Sequence, residues 1–507
     1  METVTRSRPL SSEEYLESLR DGRQIYIDGE RVGDVTTHPA FRNAARSIAR
    51  LYDALHDDET RDVMVARDRQ GILTHKFFKP AYSAQELLEA RDAIAVWARL
   101  TYGFMGRSPD YKAAFMATLG SSPEFYEPFV DNARAWYRDY AAKCLYLNHV
   151  LINPPVDRNR PVHEIADVYL HVVDERDDGI VVNGAKMLAT GSAVTHATFV
   201  AQNSAVTLEA GKAEDYALVF IAPMDTPGQK LICRPSYESS SVSPFDTPLA
   251  SRFDENDAFV VFDNAFIPWE CVLVYRDVQK ANAFFPQSGF FNRYNLQAST
   301  RLAVKLDFFV GLLTRALAAN GTDQFRGNQV MLGEVMSWRN LAWAMTQAMA
   351  SDVQEAAGGA VVPRTEHATA ARVFATMATP RVKEIFELIL GGSPLVLPSS
   401  YKDLENEDLA PIFERFYRAS AGSGDERVKL FKMIWDALGT EFGGRHELYE
   451  RNYSGNHEQI RLDAFNFSRG RGAVDDCLAM VDRCLADYDL QGWTPGTPWT
   501  WDGRSPG

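Results

Sequence analysis

The chain has 507 residues, which corresponds to about three domains at roughly 150 residues each. Its 53 Lys and Arg against 68 Asp and Glu give a formal net charge of −15, so nucleic acid and anionic membrane surfaces are poor partners. Apolar residues make up 46% and charged residues 24%, which excludes global disorder. The five Cys form no disulfide framework, no segment reaches the roughly 18 apolar residues that span a membrane, and no apolar leader is present. We therefore expect a cytoplasmic protein.

Residues 1–152 are predicted to form a mainly helical domain. Ser11 and Glu14 have the spacing of a capping box, which satisfies the first free N–H groups of a helix. Asp28-Gly29, between two short runs with β character, favours a tight hairpin turn. Helical patterns follow around residues 41–56 and 84–103. Asn153-Pro154-Pro155 then marks a boundary, because proline lacks an N–H and disfavours helix before it.

Residues 153–279 change to short β-rich runs without helical patterns between them. We predict strands at residues 167–173, 179–188, 198–202, 216–222, 230–234, 258–262 and 272–275. Asn183-Gly184 predicts a second hairpin turn. This pattern favours an antiparallel sheet or barrel over a βαβ array.

Residues 280–507 return to a helical period from about residue 298. Six apolar residues fall on one helix face: Leu302, Leu306, Phe309, Val310, Leu313 and Leu317. Similar patterns recur at residues 331–353, 368–389, 426–438 and 474–488, and the tail from Gly492 is predicted to be irregular. The whole chain is therefore predicted to have an α+β fold of helices, then strands, then helices.

Several common catalytic signatures are absent from the sequence. There is no G-x-G-x-x-G opening a helix after a strand, no Walker-type loop and no G-x-S-x-G elbow. The segment from His446 to Glu450 begins like a zinc-binding helix but has Glu where the second His would stand, so we predict no metal site.

Four polar clusters remain, and each has two interpretations. Arg107 and Tyr111, four residues apart, can reach one bound anion, or Arg107 can pair with a surface Asp. His149 is either a satisfied buried histidine or a titratable partner at a domain junction.

The other two clusters are rich in Gly and polar residues. Thr190-Gly191-Ser192, with Ser204 further on, can bond a planar heterocycle or form an ordinary turn. Residues 441–446, with the segment that continues to Asn456, can approach a phosphate or end a helix.

Long motifs in a fixed order carry a family resemblance. They lie at residues 15–23, 34–43, 105–115, 251–257, 267–270, 301–308 and 443–450, the third beginning Met105-Gly106-Arg107-Ser108-Pro109-Asp110-Tyr111. Together they resemble the oxygenase component of the two-component 4-hydroxyphenylacetate 3-monooxygenases, which are FADH2-dependent phenol ortho-hydroxylases. The resemblance extends over roughly residues 9–493.

The resemblance implies a fold similar to that of acyl-CoA dehydrogenases: a helical N-domain (1–152), a middle antiparallel β-barrel (153–279) and a C-terminal four-helix bundle with its tail (280–507). It also implies a homotetramer that takes reduced, non-covalent FAD by diffusion from a separate NAD(P)H:flavin reductase and uses molecular oxygen as co-substrate. In this family a flavin C4a-hydroperoxide hydroxylates the phenol to a catechol.

The site residues are likewise carried over by motif. Arg107 would stabilise the phenolate, His149 would hydrogen-bond or deprotonate the phenol, Tyr111 would orient it, and Ser204 and Ala205 would lie on the substrate side. The cofactor residues implied are His149, Ile152, Pro155, Arg158, Thr190, Arg445, Ser454, Gly455, Asn456 and His457.

The substrate implied is a para-substituted phenol: 4-hydroxyphenylacetate, coumarate or a tyrosine-like phenol, free or tethered to a carrier protein. A shortened loop after Glu238 and the lack of His in residues 290–297 depart from the family pattern, so the native phenol stays open and a larger substrate is one of the alternatives. The competing interpretation is acyl-CoA dehydrogenase or dehydratase chemistry on the same fold, although the five Cys lack the spacing of an iron–sulfur centre. A non-enzymatic scaffold is the third interpretation.

Overall fold

The computed structural model describes residues 8–203 and 206–501. The predicted capping box is present, since Ser11 Oγ accepts the Glu14 N–H at 3.2 Å and the Glu14 carboxylate accepts the Ser11 N–H at 2.7 Å. The N-terminal elements are α1 (Ser12–Ser18), β1 (Gln24–Ile27), β2 (Glu30–Arg31), α2 (Arg42–Asp53), α3 (Arg61–Met64), β3 (Val65–Arg67), β4 (Leu73–His75), α4 (Ala84–Leu100), α5 (Pro109–Ser121), α6 (Val130–Lys143) and β5 (Leu147–Val150). The predicted hairpin is β1–β2, and Asp28 and Gly29 at its turn both have positive φ.

All seven predicted strand runs contain strands. The middle elements are β6 (His171–Arg176), β7 (Gly179–Thr190), β8 (Ala197–Val200), β9 (Leu218–Pro223), β10 (Gln229–Cys233), α7 (Ala250–Phe253), β11 (Asp257–Pro268) and β12 (Val272–Tyr275). They form a six-stranded sheet of order β2-β1-β10-β11-β7-β6 and a four-stranded sheet of order β12-β9-β8-β5.

The N-terminal segment completes both sheets. Strand pairs within the middle segment are antiparallel, whereas β1 pairs with β10 and β5 pairs with β8 in parallel. The domain limits at residues 152 and 279 stay a prediction. The N-terminal helical segment and the middle β segment share hydrogen-bonded sheets, because β1 and β5 pair with strands of the middle segment. Side chains of β5 are consequently held at the junction of the two.

The hairpin predicted at Asn183-Gly184 is wrong. Both residues lie inside β7, and β6 and β7 are joined by a turn at Asp177-Asp178 instead. Gly184 has φ +120°, and a Cβ there would come within 2.6 Å of the Tyr169 carbonyl. The glycine therefore permits a close approach of two backbones rather than a turn.

The C-terminal segment is helical, as predicted. Its elements are α8 (Val278–Gln287), α9 (Phe290–Ala319), α10 (Arg326–Ser351), β13 (Val353–Glu355), β14 (Val361–Pro363), α11 (Thr365–Leu390), α12 (Lys402–Glu405), α13 (Ala410–Phe416), α14 (Gly424–Leu438), α15 (Glu441–Asn452), α16 (His457–Gly470), α17 (Ala473–Ala486), β15 (Tyr488–Asp489) and β16 (Gly492–Trp493). α10, α11 and α14 pack against α9, which gives the predicted bundle, and α9 also packs on α4 and α5. The helical, β and helical order predicted from sequence is confirmed.

α9 begins earlier than the apolar period predicts. Its first turns bury Asn292, Arg293, Asn295 and Gln297 as well as apolar residues. A helix that is buried on all sides shows no apolar stripe, so periodicity fails to mark it.

No helix in the described ranges is long and apolar enough to cross a membrane. All five cysteines are free thiols, and Cys477 and Cys484 on α17 are exposed.

Candidate active site

The loop between α4 and α5 carries Arg107 toward the β region. Gly103 has φ +76°, and a Cβ there would come within 2.6 Å of the Lys305 Cβ on α9, so the close packing of this loop requires glycine. α5 begins at Pro109, whose missing N–H is tolerated in a first helical turn. The Arg107 backbone N–H donates to Glu255 Oε1 at 2.5 Å. These contacts fix the backbone from which the Arg107 side chain extends.

The Arg107 guanidinium lies among aromatic rings. Its Cζ is 3.9 Å from the ring centroid of Tyr111 and 5.3 Å from that of Tyr449. Its Nη1 is buried and has no hydrogen-bond partner among the residues that the structure describes. The side chain therefore presents an unsatisfied cationic donor at the ring of Tyr111.

Asp110, the nearest carboxylate in sequence, is engaged elsewhere. Its Oδ1 accepts hydrogen bonds from Ser108 at 2.5 Å and from Gln297 at 3.1 Å. Burial raises the pKa of Asp110 to about 6. The interpretation of Arg107 as half of a surface Asp–Arg pair is therefore wrong.

His149 extends from β5, which pairs in parallel with β8 and places His149 opposite Phe199. Its ring centroid lies 5.9 Å from that of Tyr111, with an angle of 17° between the planes, and 5.7 Å from that of Phe115. Burial, together with the nearby Lys112 and Arg107 cations, lowers the pKa of His149 well below its ordinary value. The imidazole is thus neutral near pH 7 and retains one nitrogen that can accept a proton. The structure brings Arg107, Tyr111 and His149 together.

Thr190 lies at the end of β7, beside a bridge of charged residues. Thr190 Oγ1 donates to Asp257 Oδ1 at 2.6 Å. The Arg445 guanidinium bonds both Asp257 oxygens, at 3.0 and 3.1 Å, and Glu255 Oε2 at 3.2 Å. Burial opposes ionisation of Asp257, but Arg445 and Arg234 outweigh it and hold the pKa of that carboxyl well below its usual range. Arg445 is therefore committed to carboxylates of the protein itself.

The remaining predicted site residues of the middle segment differ in burial, and two of them lie outside the described residues. Ser204 and Ala205 lie outside the described residues. Ile152 is half-buried, and its backbone forms an isolated bridge with β7. Pro155 and Arg158 are exposed.

Four predicted residues lie at the junction of α15 and α16. The Asn456 side chain caps α16, accepting two of its backbone N–H groups at 2.8 and 3.3 Å. His457 Nε2 lies 2.9 Å from a backbone carbonyl of α15, and the carbonyl of Ser454 accepts from Arg372 at 2.8 Å. Gly455 is exposed with φ +113°.

Aromatic residues of α15 connect this junction to Arg107. The rings of Tyr449 and Tyr453 stack with centroids 5.3 Å apart, and Tyr449 is also beside the Arg107 guanidinium. Tyr449 of α15 and Tyr453, which directly follows that helix, thus link the two groups of predicted residues.

A cavity of about 840 Å³ lies elsewhere, in the C-terminal region, lined by residues that include Asn320, Tyr417 and Arg427. None of the predicted site residues lines it. It is therefore separate from the candidate active site.

Two family models cover most of the chain. The model of the 4-hydroxyphenylacetate 3-hydroxylase N terminal matches residues 11–274, and that of the 4-hydroxyphenylacetate 3-hydroxylase C terminal matches residues 281–482. The chain belongs to this family. The family inferred from the sequence motifs is confirmed.

Curated relatives are similar over almost their whole length. The chain is 54% identical to the pyoverdin chromophore biosynthetic protein PvcC of Pseudomonas aeruginosa, covering 97% of this chain and 98% of the relative. It is 53% identical to the oxygenase component of 4-hydroxyphenylacetate 3-monooxygenase of the same organism, with 96% and 95% coverage. It is 48% identical, with 96% and 93% coverage, to a Streptomyces globisporus monooxygenase of (3S)-3-amino-3-(3-chloro-4-hydroxyphenyl)propanoyl-peptidyl-carrier protein SgcC2.

Solved structures show the same fold. The oxygenase component of 4-hydroxyphenylacetate 3-monooxygenase, in complex with FAD and 4-hydroxyphenylacetate, matches with a TM-score of 0.88 at 31% identity, covering 94% of this chain and 99% of that chain. An archaeal 4-hydroxybutyryl-CoA dehydratase matches with a TM-score of 0.84 at 18% identity, covering 97% and 98%, which shows a shared fold and no more. The predicted fold class is confirmed.

The residues of this family member fit a polar heterocyclic cofactor such as FAD. Ser454 Oγ, Tyr449 Oη and Tyr453 Oη are buried and have no hydrogen-bond partner in the described part of the chain. Buried polar atoms without partners are costly in a native structure, and a bound ligand with carbonyl and N–H groups would satisfy them.

Sequence reasoning assigned no role to Glu255 or Tyr449, although both lie within the family motifs. Glu255 holds the Arg107 backbone with one oxygen and Arg445 with the other. Tyr449 lies between Arg107 and Tyr453. The motif at residues 251–257 was the available signal for Glu255, and only the fold shows what its carboxylate contacts.

Proposed function

We propose that this chain is the oxygenase component of a two-component FADH2-dependent monooxygenase that hydroxylates a para-substituted phenol next to its hydroxyl group. The observation that carries the proposal is the meeting of Arg107, Tyr111 and His149, which come from a loop, a helix and a strand of a 4-hydroxyphenylacetate 3-hydroxylase family member. The product is a catechol.

The three side chains suit activation of a phenol. A free phenol has a pKa of about 10, whereas its ortho carbon becomes strongly nucleophilic only when the oxygen is ionised or nearly so. Arg107 stays protonated and cannot act as a base, so its part is electrostatic stabilisation of the phenolate. His149 is neutral and can accept the proton, and Tyr111 orients the phenol oxygen by hydrogen bonding.

Reduced FAD, when bound, would supply the activated oxygen from molecular oxygen. Thr190 and the Ser454–His457 segment are the residues of this chain proposed to hold it, with Ile152, Pro155 and Arg158 as further contacts. We assign Arg445 to the same site through Asp257, because that carboxylate also fixes the Thr190 hydroxyl. A separate NAD(P)H:flavin reductase is the partner that delivers the reduced cofactor by diffusion.

The substrate class is a phenol with a para side chain. Free 4-hydroxyphenylacetate, coumarate and tyrosine-like phenols are the small candidates. A carrier-tethered phenol is the large candidate, supported by the Streptomyces globisporus relative, whose substrate is attached to a peptidyl-carrier protein.

We also propose that the protein is a homotetramer, in a cytoplasmic setting. The C-terminal helix α17 exposes three apolar side chains on one face, Leu478, Val481 and Leu485, each about half exposed. An exposed apolar helix face of this kind is typical of a protein–protein interface. Sedimentation of the full chain tests this, with Leu485→Glu expected to lower the molar mass.

The function is tested by supplying the full-length protein with FADH2 from a purified NADH:flavin reductase and a panel of free and carrier-tethered phenols. Catechol and hydrogen peroxide are measured separately, and oxygen-18 gas traces the new hydroxyl. We expect at least one phenol to give labelled catechol. Peroxide alone with every phenol, or turnover of acyl-CoA thioesters instead, would contradict the proposal.

A further inference from the structure

Lys112 is a buried lysine next to the predicted phenol site. It follows Tyr111 on α5 and is only 2% exposed. Its Nζ lies 4.0 Å from the ring centroid of Tyr111 and 5.1 Å from that of Phe115. Lysine is rarely this buried unless its ammonium is paired.

The Lys112 Nζ has no hydrogen-bond partner within residues 8–203 and 206–501. The other four buried lysines of these ranges each have an oxygen partner: Lys79 with Glu86 at 3.2 Å, Lys186 with Gln202 at 3.2 Å, Lys305 with Glu450 at 3.1 Å and Lys432 with Asp246 at 2.9 Å. Lys112 therefore stands apart from every comparable lysine of the described chain.

An unpaired buried ammonium costs free energy, because the charge has lost its water without gaining a counter-ion. Burial, and then the nearby Arg107 guanidinium, holds the pKa of Lys112 well below its usual range. A protein can keep such a group where a ligand completes it, since strain and unsatisfied groups concentrate at binding sites.

The surroundings of Lys112 are those of the phenol site. The Lys112 Nζ lies near the rings of Tyr111 and Phe115. The centroids of these two rings are 5.9 and 5.7 Å from the centroid of the His149 ring. The Arg107 Cζ is 3.9 Å from the same Tyr111 ring. Two cationic side chains and a neutral imidazole thus share one aromatic wall.

We propose that Lys112 is a second anion-binding residue of the phenol pocket, whose Nζ donates a charge-assisted hydrogen bond to an anionic oxygen of the bound phenolic substrate. The proposal rests on the proposed function and adds a residue to it. The oxygen belongs to the phenolate or to a carboxylate of the para side chain. Because Lys112 lies beside Tyr111, and Tyr111 and His149 are assigned to the phenol oxygen, we expect Nζ to contact the phenolate oxygen.

The proton that the phenol loses has a defined acceptor in this site. The phenol O–H bond breaks, and an N–H bond forms on the neutral imidazole of His149, while the Lys112 ammonium keeps its protons and donates a hydrogen bond to the phenolate. No net charge enters the pocket, and His149 and Tyr111 remain hydrogen-bond partners of the same oxygen. Arg107 adds a fixed positive charge that favours the ionised state.

Ligand binding without flavin turnover tests the proposal. The probe is 4-nitrophenol, because its visible absorbance reports how much of the bound phenol is ionised. In Lys112→Met, and in Lys112→Gln as a second variant, we expect affinity to fall about 10- to 100-fold, the loss of one hydrogen bond to a charged group, and the ionised fraction to fall with it.

A ligand pair distinguishes the two oxygens. In Lys112→Met, binding of both 4-hydroxyphenylacetate and 4-(2-hydroxyethyl)phenol should weaken if Nζ meets the phenolate. Only 4-hydroxyphenylacetate should be affected if Nζ meets the carboxylate. Either pattern supports the proposal, whereas equal affinity and equal ionisation in the wild type and both variants overturn it.

Thermal unfolding separates ligand binding from a structural role. Replacing an unpaired buried cation should leave the unfolding midpoint of Lys112→Met unchanged or raised, while the matched variant Lys305→Met, which removes a partner of Glu450, should lower it. A midpoint that falls in Lys112→Met as in Lys305→Met would overturn the proposal. If the wild type makes catechol and Lys112→Met binds phenols equally well, only the role of Lys112 is overturned. If the wild type neither binds nor hydroxylates any phenol, the proposed function is overturned too.

Discussion

The rings of Tyr111 and His149 are nearly parallel, with centroids 5.9 Å apart and planes 17° from parallel, although one residue lies on helix α5 and the other on strand β5. The strand is held by its parallel pairing with β8, and the helix is held by α6 and α9. This arrangement of the two rings therefore depends on the packing of all three segments of the chain. It is the geometric basis of the proposed phenol site.

Arg107→Ala is expected to uncouple the reaction. Without the guanidinium beside Tyr111, the phenolate loses its fixed positive charge, so catechol formation should fall about 100-fold. Oxygen consumption should continue with hydrogen peroxide as the product, and the ratio of catechol to peroxide measures the effect. Arg99→Ala is the matched control, since Arg99 is exposed on α4, and should keep the wild-type ratio. A wild-type product ratio in Arg107→Ala would remove Arg107 from the proposed mechanism.

Asp257→Asn is expected to destabilise the protein strongly. Asp257 pairs with two guanidiniums, those of Arg445 and Arg234, in a mostly buried position. Removal of its charge leaves each guanidinium with one carboxylate, Glu255 for Arg445 and Asp254 for Arg234, so we expect a cost toward the lower end of the roughly 3–5 kcal/mol of breaking a buried pair. Urea unfolding measures the loss.

Thr190→Val is the control for that bridge. It removes only the hydroxyl that donates to Asp257, and should cost about 1 kcal/mol in the free energy of unfolding. It should also weaken the binding of reduced FAD, measured anaerobically by fluorescence. A loss of stability in Thr190→Val as large as that in Asp257→Asn would show that the ion pairs contribute little.

His196→Gln is expected to flatten the pH dependence of stability. Burial, with a smaller effect of the Arg23 charge, lowers the pKa of His196 to about 3, whereas an unfolded histidine has a pKa of about 6.5. Below about pH 6.5 the unfolded state therefore binds the extra proton, and stability falls by up to about 1.4 kcal/mol per pH unit until the folded pKa is reached. Urea unfolding at pH 7 and pH 5 should give a smaller difference in the variant.

Ser18→Ala provides the comparison for His196. Ser18 Oγ lies 2.9 Å from His196 Nε2, so this change removes a hydrogen bond but keeps the imidazole. The variant should be slightly less stable at both pH values and should keep the wild-type difference between them. An unchanged pH difference in His196→Gln would mean that His196 does not carry the effect.

Much of the local structure and the family membership follow from the amino-acid sequence. The capping box at Ser11, the Asp28-Gly29 hairpin and the seven β-rich runs follow from turn chemistry, capping and short-range patterns, which act over a few residues. The sequence resemblance also identifies Arg107, Tyr111 and His149 as site residues.

Which polar groups have hydrogen-bond or ionic partners depends on the three-dimensional packing. Lys112 has the sequence context of an ordinary helical lysine, yet the fold buries its Nζ with no hydrogen-bond partner in the part of the chain that the structure describes. Arg445 has the context of a phosphate ligand, yet Glu255 and Asp257 occupy its guanidinium. Gly184 has a turn signal but lies within a strand, because another backbone passes it closely. The physical reason is the same in each case: burial and charge pairing are set by residues far away along the chain, and no local pattern encodes them.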